Sequence, residues 1–371
     1  MSTPVLFQPT RLGPLNVSNR IIIPPMCQYS AHNGQPSDWH IMHWGNLLQS
    51  GASLFIIEAT AVTPNGRISA HDLGLWDQQT EDAMAETLKR TRHYSDMPMG
   101  IQLAHAGRKA SRQVPWLGGN QLAPDETEGW QTVAPSDVPY QEEEHAPQAM
   151  SESELDHVKR AFVEAAERSV RLGFEVIELH MAHGYLLHQF LSLLSNQRND
   201  AYGDSLDNRI RYPLELFEAV RQVVPDNIAL GVRLSTTDWT EGGWDISQTQ
   251  ALVKALETIG CDFIDASSGG LDHRQDIPVG PNYQVPDAQA IKAMSTLPVI
   301  TVGLITEAEQ AEAIVGTQQA DFAAIGRGML YDPRWAWHAA AALGAEVTVS
   351  PQYLRCQPHR LKPLLQPRAS N

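Results

Sequence analysis

Ile177-Glu178-Leu179-His180-Met181-Ala182-His183-Gly184-Tyr185 is the stretch from which the rest of the chain is best read. An apolar strand pattern, Val176–His180, runs into two histidines three residues apart, then a glycine able to turn the chain, then a tyrosine. Strand residues alternate between faces, so positions three apart point away from each other. The two imidazoles can converge only if the strand stops near His180 and a loop carries His183 back. Two imidazoles and a phenol gathered at a strand's exit suit holding an oxygen and delivering a proton. By the same alternation Glu178 and His180 share one face. Helical patterns flank the segment at Glu152–Leu172 and Asn208–Val223.

The unit repeats outward in both directions. Short β-rich runs at Arg20–Pro24, Leu54–Ala59, Met99–Leu103, Ala229–Leu234, Phe263–Ala266, Pro298–Thr301 and Phe322–Ile325 join Val176–His180. Further helical patterns fall at Ile246–Ile259, Glu307–Val315 and Pro333–Leu343. Eight strands with helices between them predict an α/β fold, a single (β/α)8 TIM barrel spanning residues 1–371. A doubly wound sheet is the other arrangement this alternation permits. Against it, no Gly-x-Gly-x-x-Gly follows the first strand, and no Pro/Gly-rich linker divides the chain.

Two segments stand outside the repeat. Leu12-Gly-Pro-Leu-Asn-Val17 predicts a hairpin that caps the barrel floor. The excursion from Gly107 to Ala149, after the third strand, is rich in Pro, Gly and acidic residues, and loops of that length are usually functional or mobile. Residues 356–371, with Pro358, Pro363 and Pro367, read as a poorly ordered tail or one that contacts another subunit.

Composition removes several function classes. The formal charge of −16, from 43 acidic against 27 basic residues, argues against a nucleic-acid surface. A small phosphate-bearing ligand is still compatible, since it needs only a few local arginines. No apolar run approaches the roughly 18 residues that span a membrane, and the N-terminus lacks a signal-peptide layout. Cys27, Cys261 and Cys356 are widely separated and offer neither a disulfide framework nor a CxxC pair. A reduced, soluble, cytoplasmic protein is the expectation.

In a barrel, chemistry collects at the C-terminal ends of the strands. Those positions hold Cys27 and Tyr29, Ala59-Thr60, Gln102 and His105, His180 and His183, Arg233, Ser267-Ser268-Gly269, Gly303 and Gly326-Arg327. Gly303 and Gly326 follow the last two strands, where barrels commonly hold a phosphate. Glycine lets backbone N–H groups approach an anion, and Arg327 can neutralise it. Gln102 and Arg233 suit a flat heteroaromatic ring, an amide to donate and accept and a guanidinium to stabilise developing negative charge. Arg233 could equally sit in a barrel-core ion pair with Glu178.

Taken together, these motifs resemble the old yellow enzyme family of FMN-dependent ene-reductases, in its bacterial, cysteine-containing, thermophilic-like or xenobiotic reductase subclass. The resemblance rests on Asn19-Arg20, Pro25-Met26-Cys27-Gln28-Tyr29, Asp38-Trp39-His40, Glu58-Ala59-Thr60, Gly66-Arg67, Gln102 to Lys109, the His180/His183/Tyr185 run, Asn196 to Gly203, Arg233, Ala266 to Gly269, Gly303 and Gly326-Arg327. It implies tightly bound FMN reduced by NADPH or NADH, with hydride passing through flavin N5 to an activated alkene in ping-pong order. Pro25, Met26, Cys27, Ala59, Gln102 and Arg233 would contact the flavin ring, and Gly303, Gly326 and Arg327 its phosphate. His180 and His183 would bind the carbonyl or nitro oxygen, Tyr185 would give the proton, Cys27 would tune the flavin, and Tyr29 would line the substrate pocket. The role of Lys109 is less defined. Arg355 resembles an arginine that reaches a neighbouring subunit's active site, which implies a homodimer or homotetramer.

Other readings compete with this one. His180 and His183 as metal ligands would need a third ligand, and none is suitably spaced. The larger flavin and iron–sulfur branch adds a cysteine cluster that three scattered cysteines cannot supply. A barrel that only stores flavin would not need an oxygen clamp and a proton donor. No metal is expected.

Overall fold

A computed structural model describes residues 3–368. Its centre is a ring of parallel strands: β1 (Ile21–Ile23), β2 (Leu54–Ala61), β3 (Met99–Ala104), β4 (Val176–Met181), β5 (Ala229–Ser235), β6 (Ile264–Ser267), β7 (Val299–Thr301) and β8 (Phe322–Ala324). Each pairs with the next, and the ring closes where β8 sets Ala323 opposite Ile21 of β1. The expected eight-stranded barrel is therefore the observed fold, with strand ends displaced by only a residue or two.

Helices fill the crossovers: α1 (Asp38–Leu47), α2 (Gln78–Arg92), α3 (Glu152–Arg171), α4 (Leu186–Leu191), α5 (Leu206–Arg221), α6 (Ile246–Thr258), α7 (Val285–Lys292), α8 (Ala308–Gly316), α9 (Arg327–Tyr331) and α10 (Trp335–Leu343). α3 shows why they form. Ser151 and Glu154 make a reciprocal capping box, and Leu155, Val158, Phe162, Ala165, Ala166 and Ser169 form one buried stripe.

Inward positions at the barrel floor are apolar. Ile22, Leu54, Ile56, Val176, Ala229, Phe263, Ile300 and Phe322 pack together there, joined by Leu12 and Val17 of the hairpin. That hairpin pairs Thr10–Leu12 antiparallel to Leu15–Val17, as the sequence suggests. Phe263 fits because β5 carries glycine beside it: a Cβ on Gly231 would stand 2.5 Å from the Phe263 ring. Phe263→Ala is expected to cost about 3–5 kcal/mol in chemical denaturation. A loss under about 1 kcal/mol would mean that the floor collapses into the gap.

Part of the C-terminal stretch, expected to be poorly ordered or to contact another subunit, forms regular structure. Leu365–Pro367 pairs with Val347–Val349 as a short parallel ladder. Arg368 follows it, meeting Asp96 at 2.8 Å and donating to the Tyr94 carbonyl at 2.7 Å. Pro363 and Pro367 suggest disorder in the sequence, yet proline is tolerated beside and within an edge strand. Residues 369–371, part of the same expectation, lie outside the described residues.

Candidate active site

Above the floor, the inward-facing positions turn polar. Gln102 on β3, Glu178 on β4, Arg233 on β5 and Asp265 on β6 form a buried layer. Gln102 donates through Nε2 to Glu178 Oε1 at 2.8 Å, and Arg233 Nε lies 3.2 Å from Asp265 Oδ2. Asp265 thus takes the ion-pair place that sequence alternation offered to Glu178. The register explains it: Arg233 stands directly opposite Asp265, whereas Glu178 stands opposite Gly231. Burial, then the neighbouring Asp265 carboxylate, raises the Glu178 carboxyl well above its ordinary value.

On β4 the ladder ends at Met181, and His183 and Gly184 adopt left-handed φ values of 58° and 73°. This turn brings His183 round onto His180, with ring centroids 5.1 Å apart and Nδ1 of His183 3.3 Å from Nε2 of His180. Glycine is required at 184, because a Cβ there would sit 2.2 Å from the Gly270 carbonyl oxygen. Side chains take up the turn's peptide groups. His183 N donates to Ser235 Oγ (2.9 Å), and Gly184 N donates to His188 Nδ1 (2.9 Å). Lys109 Nζ donates to the His183 carbonyl (2.8 Å), and Gln189 Nε2 to that of Gly184 (2.7 Å). The loop is fixed rather than pliant. Tyr185 follows it, edge-on to His180 with centroids 4.8 Å apart.

Hydrogen bonds assign the imidazole protons. The Ala182 amide donates to His180 Nδ1 at 3.2 Å, so His180 carries its proton on Nε2. His183 Nε2 lies 2.8 Å from Ser267 Oγ, whose hydroxyl is also 3.3 Å from Gln284 Oε1. When Ser267 donates to Gln284, His183 Nε2 donates to Ser267 and His183 Nδ1 accepts from His180 Nε2; when Ser267 donates to His183 instead, the proton of His183 sits on Nδ1 and both rings can offer an N–H to a shared oxygen. Burial, then the Arg233 charge, holds both imidazoles well below their ordinary pKa, so both are neutral.

Cys27, Tyr29 and Tyr185 meet Trp130 around the small apolar cluster of Ile68, Ala106 and Ala110. Burial is the first cause raising the Cys27 thiol and the Tyr185 phenol, which keeps both protonated. A bulge in β2 shifts the register from Ile57 to Ala59. Glu58 accepts from Trp44 and lies 3.2 Å from His40 Nε2, while Ala59 lines a small cavity with Tyr185.

A separate cavity of about 260 Å³ lies across the rim, lined by Pro25, Met26, Arg233, Gly303, Gly326 and Arg327 among others. Gly303 has φ 121°, and a Cβ on it would reach within 2.7 Å of Gln284 Nε2. Gly326 precedes α9, and Arg327 opens it. The cavity thus presents two guanidinium groups and glycine backbone to an anionic, flat ligand, and the residues present fit FMN in chemistry. Arg355 stays apart from this cluster, exposed on the turn Pro351–Cys356. Asp265, Ser235, Gln284, His188 and Gln189 were not anticipated. Asp265 was open to inference, since alternation places Phe263, Asp265 and Ser267 on one face. Among the described residues no group of three His, Cys, Asp or Glu could hold a metal.

A barrel that gathers an anion cradle and neutral donors at its strand ends falls in the class of phosphate-cofactor barrels. Sequence relationship narrows it: residues 5–346 match the NADH:flavin oxidoreductase / NADH oxidase family, and the chain belongs to that family, the old yellow enzymes. A NADH:flavin oxidoreductase of Gibberella zeae is 40% identical over 94% of this chain and 88% of its own length. NADPH dehydrogenase of Bacillus subtilis is 39% identical, covering 94% of this chain and 98% of its own. Morphinone reductase in complex with tetrahydroNAD superposes with a TM-score of 0.75 at 26% identity, covering 94% and 93% of the two chains. The protein is an FMN-dependent oxidoreductase that uses NADH or NADPH. No described helix is long and apolar enough to cross a membrane.

Proposed function

We propose that the protein reduces activated C=C bonds of α,β-unsaturated carbonyl compounds, and of nitro compounds that present an oxygen in the same way. The observation that carries this reading is the 3.3 Å approach of His180 Nε2 and His183 Nδ1 with Tyr185 beside them. Bound FMN supplies the hydride, which it takes from NADPH or NADH. His180 and His183 hold the carbonyl oxygen and draw electron density from the β-carbon. Tyr185 then protonates the α-carbon. Because both imidazoles are neutral and buried, they polarise the oxygen without surrendering a proton to it. Nicotinamide and alkene would take the same pocket in turn, which is ping-pong order.

Pro25, Met26, Cys27, Ala59, Gln102 and Arg233 are assigned to the flavin ring. Gln102 commits its Nε2 to Glu178, so its carbonyl oxygen is the group left for a ring N–H. Gly303, Gly326 and Arg327 are assigned to the phosphate. Cys27 acts as an uncharged neighbour that tunes the flavin, as in the xenobiotic reductase subclass, and Tyr29 forms a pocket wall with Trp116, whose ring is 6.1 Å away. Arg355 of one copy completes the pocket of a neighbour, so the working form is a cytoplasmic homodimer or homotetramer.

An anaerobic experiment tests the reading. NADPH should bleach the flavin absorbance of the purified protein, and added 2-cyclohexenone should restore it with formation of cyclohexanone. Bleaching that the enone fails to reverse would end the ene-reductase assignment.

A further inference from the structure

Asp72 belongs to no role given above, yet it is buried beside the reacting groups, at 5% exposure. Its carboxylate is held by the Ile68 amide at 2.7 Å and the Ser69 hydroxyl at 2.7 Å. Asp72 and Tyr185 line the same small cavity, with Ala59, Ala61, Gly66, Ile68, Ala104 and Ala106 as its remaining walls. The cavity measures about 10 Å³, close to the size that one water molecule needs. Its walls are otherwise alanine, glycine and isoleucine, so the carboxyl and the phenol are its polar side chains.

The residues just before Asp72 in the chain reach the outside. Ala70 and His71 line an open cavity of about 490 Å³. The open cavity thus begins one residue along the chain from Asp72, which lines the small cavity together with Tyr185.

We propose that Asp72 reloads Tyr185 with its proton through a single water between them, so that a solvent proton enters the active site by this route at each turnover. The inference rests on the reading of Tyr185 as proton donor. The balance is simple. The Tyr185 O–H bond breaks as the C–H bond forms at the substrate α-carbon, leaving a phenolate. The water gives a proton to the phenolate and takes one from the Asp72 carboxylic acid. The carboxylate recovers its proton from solvent, so one proton is consumed and no oxidant or reductant is needed.

Charge around Asp72 supports the assignment. Burial raises its carboxyl to about 7, with Glu58 adding to the effect and the Ser69 and Ile68 bonds opposing it. Cys27, Tyr29 and Tyr185 all feel its charge, as does Arg67 on the solvent side. An acid of that strength is protonated part of the time at neutral pH, as a relay requires. Below about 7 the acid form is loaded, and as pH rises through that value the relay empties.

The test compares Asp72→Asn with wild-type holoenzyme. Asparagine keeps the local turn, since its carbonyl can accept from Ile68 N and its amide can donate to Ser69 Oγ. Flavin reduction by NADPH draws no proton through Tyr185, so it and FMN retention should match wild type. Steady-state reduction of 2-cyclohexenone should fall about tenfold to a hundredfold, and the decline above pH 7 expected of wild type should be missing from the variant. Lys109, lowered to about 7 chiefly by burial, titrates in both proteins, so their difference isolates Asp72. Unchanged turnover and an unchanged pH profile would overturn the relay. Equal losses in both half-reactions, or loss of FMN, would also overturn it by showing a structural role. Wild-type protein that never reduces the enone would instead count against the ene-reductase reading itself.

Discussion

Alanine at both His180 and His183 is expected to spare bleaching of the flavin by NADPH and to slow its reoxidation by an enone about a thousandfold. Removing one preorganised donor from an oxyanion typically costs about 10²–10³ in kcat. Two donors that act as a unit lose less than the product of their single effects, which sets the estimate near the upper end of one. The geometry makes the donors preorganised: the Ala182 amide fixes the His180 tautomer, and Ser267 can fix that of His183. Since burial and Arg233 keep both rings neutral, the defect should persist from about pH 6 to 9 rather than appear on one limb. Stopped-flow traces of the two half-reactions would separate the effects. Enone reoxidation at the wild-type rate in the double variant would remove the oxygen-clamp role.

The same pair shows what a sequence can carry. Alternation plus a glycine predicts that His183 must swing back onto His180, and the left-handed pair His183-Gly184 does this. The eight strands were legible for a similar reason, since each is a short apolar run with a period or length that helices do not share. α2 was less legible. Its buried face is Thr80, Met84, Thr87, Leu88 and Thr91, and threonine counts as polar in a hydropathy pattern even where its methyl packs. Partner choice inside the barrel stayed open because strand alternation gives the face of a residue and not its neighbour. Only the inter-strand register puts Asp265, not Glu178, opposite Arg233.

The long excursion after β3 and the loop after β6 meet each other. Arg108 donates to the carbonyls of Val138 and Pro139 in the long excursion and to that of Leu271 in the loop after β6. Lys109 donates to Gly270 of that loop, and the Tyr140 ring lies within 6 Å of Arg108, Lys109 and Arg112. The contacts are between cations, carbonyl oxygens and one aromatic face, which a linear pattern of polar residues cannot announce. Their effect reaches the site, since Lys109 also holds the His183 carbonyl. Excursion, β4 turn and β6 loop are thus tied at one ammonium group.

Tyr185→Phe is expected to slow the oxidative half-reaction by about two to four orders of magnitude while leaving the NADPH half-reaction intact. The phenol ring is retained, so its edge-on contact with His180 and its place in the Ile68–Ala106–Ala110 cluster should survive. Only the proton is lost. Burial holds the Tyr185 phenol far above its ordinary pKa, with Cys27, Tyr29 and Asp72 adding to the rise. Such a phenol is fully protonated at any working pH, but leaving it as a phenolate is costly, so proton transfer should be tightly coupled to a source that restores it. A solvent isotope effect on enone turnover should therefore be large in wild type and change in the phenylalanine variant, where water must reach the α-carbon unaided. Turnover should not vanish, because the donors on the oxygen still favour hydride addition. A variant that turns over the enone as fast as wild type would place the proton donor elsewhere, and with it would go the case for Asp72 as its source.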